Sequence, residues 1–199
     1  MKAENCIDIF EQAINTYHVI DDVYQPFTNP FNEGTIENVM YQKSWIDTVQ
    51  WHYEDIIRDP NIQPDAGMDM KRKIDKSNQH RTDVVEQLDD YYISMFKNIT
   101  PNSDAKLNTE SPGWVVDRIS ILCLKIYHMQ EQVDRGDTDE KHKIQCQNKL
   151  NILLEQKEDI SKSFNDLLEE IQSGEKQIKV YRQMKMYNDD TLNPVLYKK

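Results

Sequence analysis

Four of the five histidines are followed by an acid three residues later: His18 by Asp21, His52 by Asp55, His80 by Asp83 and His128 by Glu131. On a helix, residues three apart share a face, so each imidazole would have a carboxylate within reach. That pairing supports two kinds of chemistry. A carboxylate can hold an imidazole ready as a general acid or base. Alternatively, the two groups can ligate a divalent metal together, as helical metal bundles do with Glu-x-x-His. The order here is reversed, and no Glu-x-x-His pair supports the metal reading directly. Local ion pairing accounts for His18 and His80, which sit on no clear apolar stripe. His52 and His128 remain as candidate acid or base residues and, with Asp55 and Glu131, as candidate ligands for a divalent metal.

Further polar groups interrupt apolar stripes. Trp45, Val49, His52, Ile56 and Asp59 share one helical line, and Ile74, Asn78, Arg81, Val85, Leu88 and Tyr92 share another, flanked by Asp75 and Asp83. Asp117 and His128 bracket Ile121 and Leu124, with Arg118 nearby. Buried charges must be paired or bind something, because an isolated one costs several kcal/mol. One reading is therefore a pocket in which Arg58, Arg81 and Arg118 hold a phosphate or carboxylate and Asp59, Asp75, Asn78 and Asp117 complete the ligand-binding set. The other is a structural ion-pair network inside a non-enzymatic adaptor. No GxGxxG, Walker loop or GxSxG is present, which removes the familiar nucleotide cradles and nucleophile elbows.

The elements that must position these groups are marked out by five glycines and seven prolines. Both residue types interrupt helices, and the uninterrupted blocks run over about 4–23, 35–59, 68–98, 114–135, 137–173 and 175–188. The fourth block carries Val115, Ile119, Leu122, Ile126, Met129 and Val133 at alternating steps of four and three, with Ile121, Leu124 and His128 on the opposite face. A helix apolar on two sides belongs at the centre. The fifth block opens with Asp137 and Glu140 at capping-box spacing and keeps heptad steps from Cys146 through Leu150, Leu153, Lys157, Ile160, Phe164, Leu167 and Ile171. It is expected to lie lengthwise against the third helix, or else to project and pair with a second copy or another protein. In "TESPGWVVDR", Thr109 or Ser111 is the expected N-cap, with Pro112 in the first turn. The expected fold is an all-α, mostly antiparallel bundle of about five long helices plus a short C-terminal helix. The bundle domain covers 1–174, and a basic, aromatic segment over 175–199 packs on it.

Thirty-five acids against 24 bases give a net charge of -11, which argues against nucleic acid and anionic membrane surfaces as partners. No apolar run is long enough to span a bilayer, and "MKAENCIDIF" lacks the pattern of a signal peptide, so a cytoplasmic protein without membrane insertion is expected. Cys6, Cys123 and Cys146 have no CxxC spacing and read as reduced, packed thiols. From Glu175 onward the charge balance reverses, with six bases against three acids and with Tyr181, Met184, Met186, Tyr187 and Tyr197 interleaved. Such a segment could face RNA or a partner protein, and the favoured reading is that it folds back on the acidic body and caps one end of the bundle.

The stretches "WIDTVQWHYEDIIRDPNI", "KRKIDKSNQHRTDVVE", "NTESPGWVVDRISILCLKIYHM" and "YRQMKMYNDDTLNPVLY" resemble a bacterial family described only as a domain of unknown function (domain of unknown function 4254). The resemblance covers nearly the whole chain and implies a complete single-domain member. It implies no activity, and it carries over no site residues.

Overall fold

The computed structural model describes residues 1–184, 186 and 189–198; Lys185, Tyr187, Asn188 and Lys199, with their share of the basic aromatic tail, lie outside the described residues. Five long helices form: α1 (Ala3–Tyr17), α2 (Ile36–Ile56), α3 (Pro64–Phe96), α4 (Pro112–Asp134) and α5 (Glu140–Gln172). A two-residue strand β1 (Lys106–Leu107) precedes α4, and β2 (Lys176–Gln177) and the one-turn helix α6 (Pro194–Tyr197) follow α5. The helices make an all-α bundle, and no helix among the described residues is long and apolar enough to cross a membrane.

Local chemistry sets the starts. The Thr35 hydroxyl caps α2 by accepting from the Asn38 N–H at 3.3 Å, while α3 and α4 each begin on a proline, whose missing N–H costs nothing there. α5 starts at Glu140 rather than at 137, because the Asp139 carboxylate accepts from the His142 N–H at 2.7 Å. Asp137 pairs instead with Arg135 at 2.9 Å. α1 ends well before residue 23, which turns residues 18–35 into a long connection.

α4 packs against α1, α2, α3 and α5, which gives it the central place that its two apolar faces imply. Ile119 and Leu124, from those two faces, are both fully buried, with Phe10, Tyr17, Tyr41, Leu88, Tyr92 and Phe164 around them. Burying each such side chain contributes roughly 1.5–3 kcal/mol. α5 runs lengthwise against α4 and touches α1, whereas it meets α3, its expected lengthwise partner, where Phe164 stands edge-on to Tyr92 at 5.8 Å. Periodicity identifies the buried face of a helix but not the neighbour that covers it.

α3 and α4 meet more closely than side chains normally permit. Asp89 of α3, itself buried, accepts from the Ser111 hydroxyl at 2.7 Å and from the Gly113 N–H at 2.7 Å. Ser111 thus occupies the N-cap position of α4, but the carboxylate that satisfies the helix start comes from another helix. A Cβ on Gly113 would lie 2.6 Å from Asp89 Oδ1, so only glycine fits.

The chain leaves α5 through Gly174 at φ 79 and pairs Lys176–Gln177 in parallel with Lys106–Leu107. This pairing takes up backbone groups that a helix over 175–188 would need, and the chain from 178 through 184 is neither helix nor strand. The short C-terminal helix lies further on, at Pro194–Tyr197. Arg182 rests on α3 through ion pairs with Glu86 at 3.4 Å and with Asp90. All three cysteines are buried and free, and burial pushes the Cys6 and Cys123 thiols up to about 12.

Candidate metal centre and polar interior

His18, His52 and His128 come from three different elements and meet. His18 sits one residue beyond the end of α1, His52 in the last turns of α2, and His128 in the second half of α4. One ligand-capable atom from each lies within 4.8 Å of the others, with His18 Nε2 and His52 Nε2 only 3.3 Å apart. Two imidazole nitrogens on one tetrahedral zinc are separated by about 3.3–3.4 Å, given Zn–N bonds of about 2.0–2.1 Å. The widest separation in the trio would have to close by about 1.5 Å to reach that value, which is within reach of small side-chain rotations.

Each ring is held by stacking. His18 lies on Tyr127 with centroids 4.2 Å apart, His52 on Tyr17 at 5.1 Å, and His128 on Trp51 at 4.8 Å. Hydrogen bonds then decide the tautomers. The Nδ1 of His18 lies 2.7 Å from the Ile14 carbonyl, which can only accept, so Nδ1 carries the proton and the neutral ring presents a lone pair at Nε2. The Nδ1 of His128 donates to the Glu131 carboxylate at 2.7 Å, and its Nε2 is buried without a hydrogen-bond partner among the described residues. A second-shell acceptor on the far nitrogen is the usual way proteins orient a metal-binding histidine.

Burial pushes the pKa of His18 and of His52 below the usual histidine value, and the other nearby imidazoles push the same way. Both are therefore neutral at pH 7, the form that can donate to a metal. Asp21, the one non-glycine residue at positive φ among the described residues (φ 55), places its carboxylate 3.6 Å from His52 Nε2. Aspartate tolerates that left-handed conformation better than most residues. The trio opens into a cavity of about 560 Å³ that Asp21, Trp51, Asp55, Lys125, Met129, Glu131, Gln132 and Leu153 also line.

The sequence-derived metal set therefore divides by position. His52 and His128 converge, Glu131 stands behind His128 on its Nδ1, and Asp55 lines the pocket. His18, which the sequence reading assigns to local ion pairing with Asp21, is instead the third imidazole. It is hidden in the sequence because it follows the last turn of a helix whose stripe reads on to residue 23.

A second polar group occupies the interior between α2, α3 and α4. Lys43, fully buried, pairs with Asp47 and lies 2.8 Å from Asp117 Oδ1. Arg81 donates to Asp47 at 2.6 Å and to Asp117 at 3.0 Å, and the Ser120 hydroxyl donates to Asp47 at 2.6 Å. Two cations and two anions thus alternate in a closed ring. Burial disfavours ionised Asp117, but Lys43 and Arg81 more than offset this and hold its carboxyl below the usual range. Arg81 and Asp117 are the ring members visible as stripe interruptions. Lys43 and Asp47 interrupt no marked stripe, and their signal in the sequence is an i,i+4 Lys–Asp pair beside the small residues Ser44 and Thr48.

The remaining candidates spread out. Asn78 Oδ1 accepts from Gln50 at 2.7 Å, and Asp75 pairs with Lys71. Asp59 is exposed and accepts from the Asn61 N–H at 2.9 Å in a local turn after α2. Arg58 pairs with Glu54 at 2.6 Å and, with Arg81, Gln50, Trp51 and Asp55, lines a cavity of about 310 Å³. Arg118 pairs with Glu110 at 2.7 Å and borders a different cavity, so the three arginines do not converge on one anion. His80 is exposed and contacts Gln42 at 3.2 Å.

No curated protein and no solved structure matches the chain. One family model does, over residues 37–180, a span that contains His52 and His128 and begins after His18 and Asp21. The chain belongs to the family described as "Protein of unknown function (DUF4254)".

Proposed function

We propose that the protein binds a divalent transition metal of the zinc class through His18, His52 and His128 and uses it as a Lewis acid toward water or a small ligand in the adjoining pocket. The observation that carries this reading is the buried, unpartnered Nε2 of His128 facing two other imidazoles at ligand spacing. An orphaned buried nitrogen costs about 1–3 kcal/mol, and a metal ion would remove that cost. Three imidazole donors suit zinc, copper, nickel or iron and not magnesium or calcium. Three protein ligands beside an open cavity match the catalytic type of zinc site, in which a bound water ionises near pH 7. The Lys43, Asp47, Arg81 and Asp117 ring has its charges paired with one another, and its role in this reading is to fix helix register.

Calorimetric titration with zinc chloride tests the reading. The expected outcome is about one equivalent bound by the wild type and by His80→Ala, with binding lost or weakened by about 100-fold in His18→Ala and His128→Ala. Wild-type stoichiometry and affinity in both of those variants would remove the site.

A further inference from the structure

A cavity of about 680 Å³, larger than the histidine pocket, lies between α2, α3 and the connection after α1. Its two walls differ in chemistry. Trp45, Val49 and Tyr53 of α2, with Phe27 of the connection, supply an apolar and largely aromatic side, where Phe27 and Trp45 stand 5.3 Å apart. α3 supplies Lys73, Lys76 and Ser77 opposite.

The charges on the α3 side are only partly neutralised, and their balance is positive. Neither lysine has a carboxylate within ion-pair distance among the described residues. The acid lining this cavity, Asp83, accepts from the neutral Gln79 amide at 2.8 Å and keeps its charge, so the lining carries two ammonium groups against one carboxylate. Lys73 is held in place by a neutral group: its Nζ donates to the Tyr24 hydroxyl at 2.9 Å and lies 4.5 Å from the centre of that ring. A phenol positions the ammonium without cancelling its charge. In a chain of net charge -11, a lining whose charge balance is positive, facing an aromatic wall, marks a place where an anion is favoured. The histidine pocket shows the opposite balance, with Asp21, Asp55 and Glu131 against the single lysine Lys125.

We infer that this cavity is a second binding site, independent of the metal centre, for a small aromatic anion whose ring lies against Trp45 and Phe27 and whose carboxylate, sulfonate or phosphate pairs with Lys73 and Lys76. The volume falls in the range of small-molecule sites and far exceeds a bare oxyanion, so the ring is needed to fill it. The concave apolar wall supplies burial, and the two ammonium groups fix orientation.

Fluorescence titration with two probes of nearly identical ring structure tests the inference: 1-anilinonaphthalene-8-sulfonate and the uncharged N-phenyl-1-naphthylamine. Saturable binding of the sulfonate at one site is expected. The double variant Lys73→Ala/Lys76→Ala should weaken it by about tenfold or more while leaving the uncharged probe unaffected. His128→Ala, which dismantles the proposed metal centre, should change neither. Sulfonate binding of wild-type strength in the double lysine variant, or equal loss of both probes, would overturn the inference. Lys76 is exposed and Lys73 half-buried, and the thermal midpoint of the double variant, expected unchanged, verifies that it is folded.

Discussion

His18, His52 and His128 each take their orientation from a different neighbour: a main-chain carbonyl, a tyrosine face, and a carboxylate with a tryptophan face. The pKa values of His18 and His52, lowered chiefly by burial, have a consequence for stability. In the metal-free protein the folded state binds fewer protons than the unfolded one once the pH falls below the ordinary histidine value of 6.5. Stability is therefore full above that pH and declines below it. Urea midpoints of the apo protein should fall as the pH is lowered through this window, and His52→Gln should flatten the decline. Added zinc should stabilise at pH 7 and lose its effect in the same window, because protons compete for the same nitrogens. A flat apo profile there would contradict the burial argument. His52 and His128 were legible in the sequence as polar interruptions of apolar stripes. His18 was not, because a residue just past a helix end is positioned by the turn that follows, and nothing in the periodicity reports that turn.

At the scale of elements, two devices fix how α2, α3 and α4 sit together. The first is the charged ring. Asp47→Ala would leave buried Lys43 and the Arg81 Nε without their shared partner, and should cost about 3–5 kcal/mol in denaturant unfolding. Asp75→Ala, which removes only a partly exposed pair with Lys71, should cost less than about 1 kcal/mol. Similar losses in the two variants would show that the ring does not hold the helices. The second device is the contact of Asp89 with the start of α4. Gly113→Ala places a methyl group against that carboxylate and against the Val85 carbonyl, 2.8 Å away. The expected loss is about 1–3 kcal/mol, read as a lower urea midpoint. Helix number and the central place of α4 followed from glycine and proline positions and from two-sided apolarity. The partner of α5 did not, since its heptad stripe is compatible with any apolar surface. The non-helical path after Gly174 is not legible in the sequence, because it follows from pairing Lys176–Gln177 with Lys106–Leu107, seventy residues earlier in sequence.

Across the whole molecule, the bundle separates two kinds of cavity: an acid-rimmed pocket around three imidazoles and an aromatic pocket faced by two lysines. The connection between α1 and α2 contributes to both, with His18 and Asp21 at the first and Phe27 at the second. Neither use of this connection could be read from composition, because it depends on where a loop crosses a helix pair. The family match begins at residue 37, so it contains two of the three imidazoles, and the third reaches the site through α1. The central claim is that the three converge on one ion, and diffraction tests it most directly. Crystals grown with one equivalent of zinc and measured at the zinc absorption edge should show an anomalous peak about 2.0–2.1 Å from a ring nitrogen of each of His18, His52 and His128. A peak elsewhere on the protein, or none between these three rings, would contradict the account.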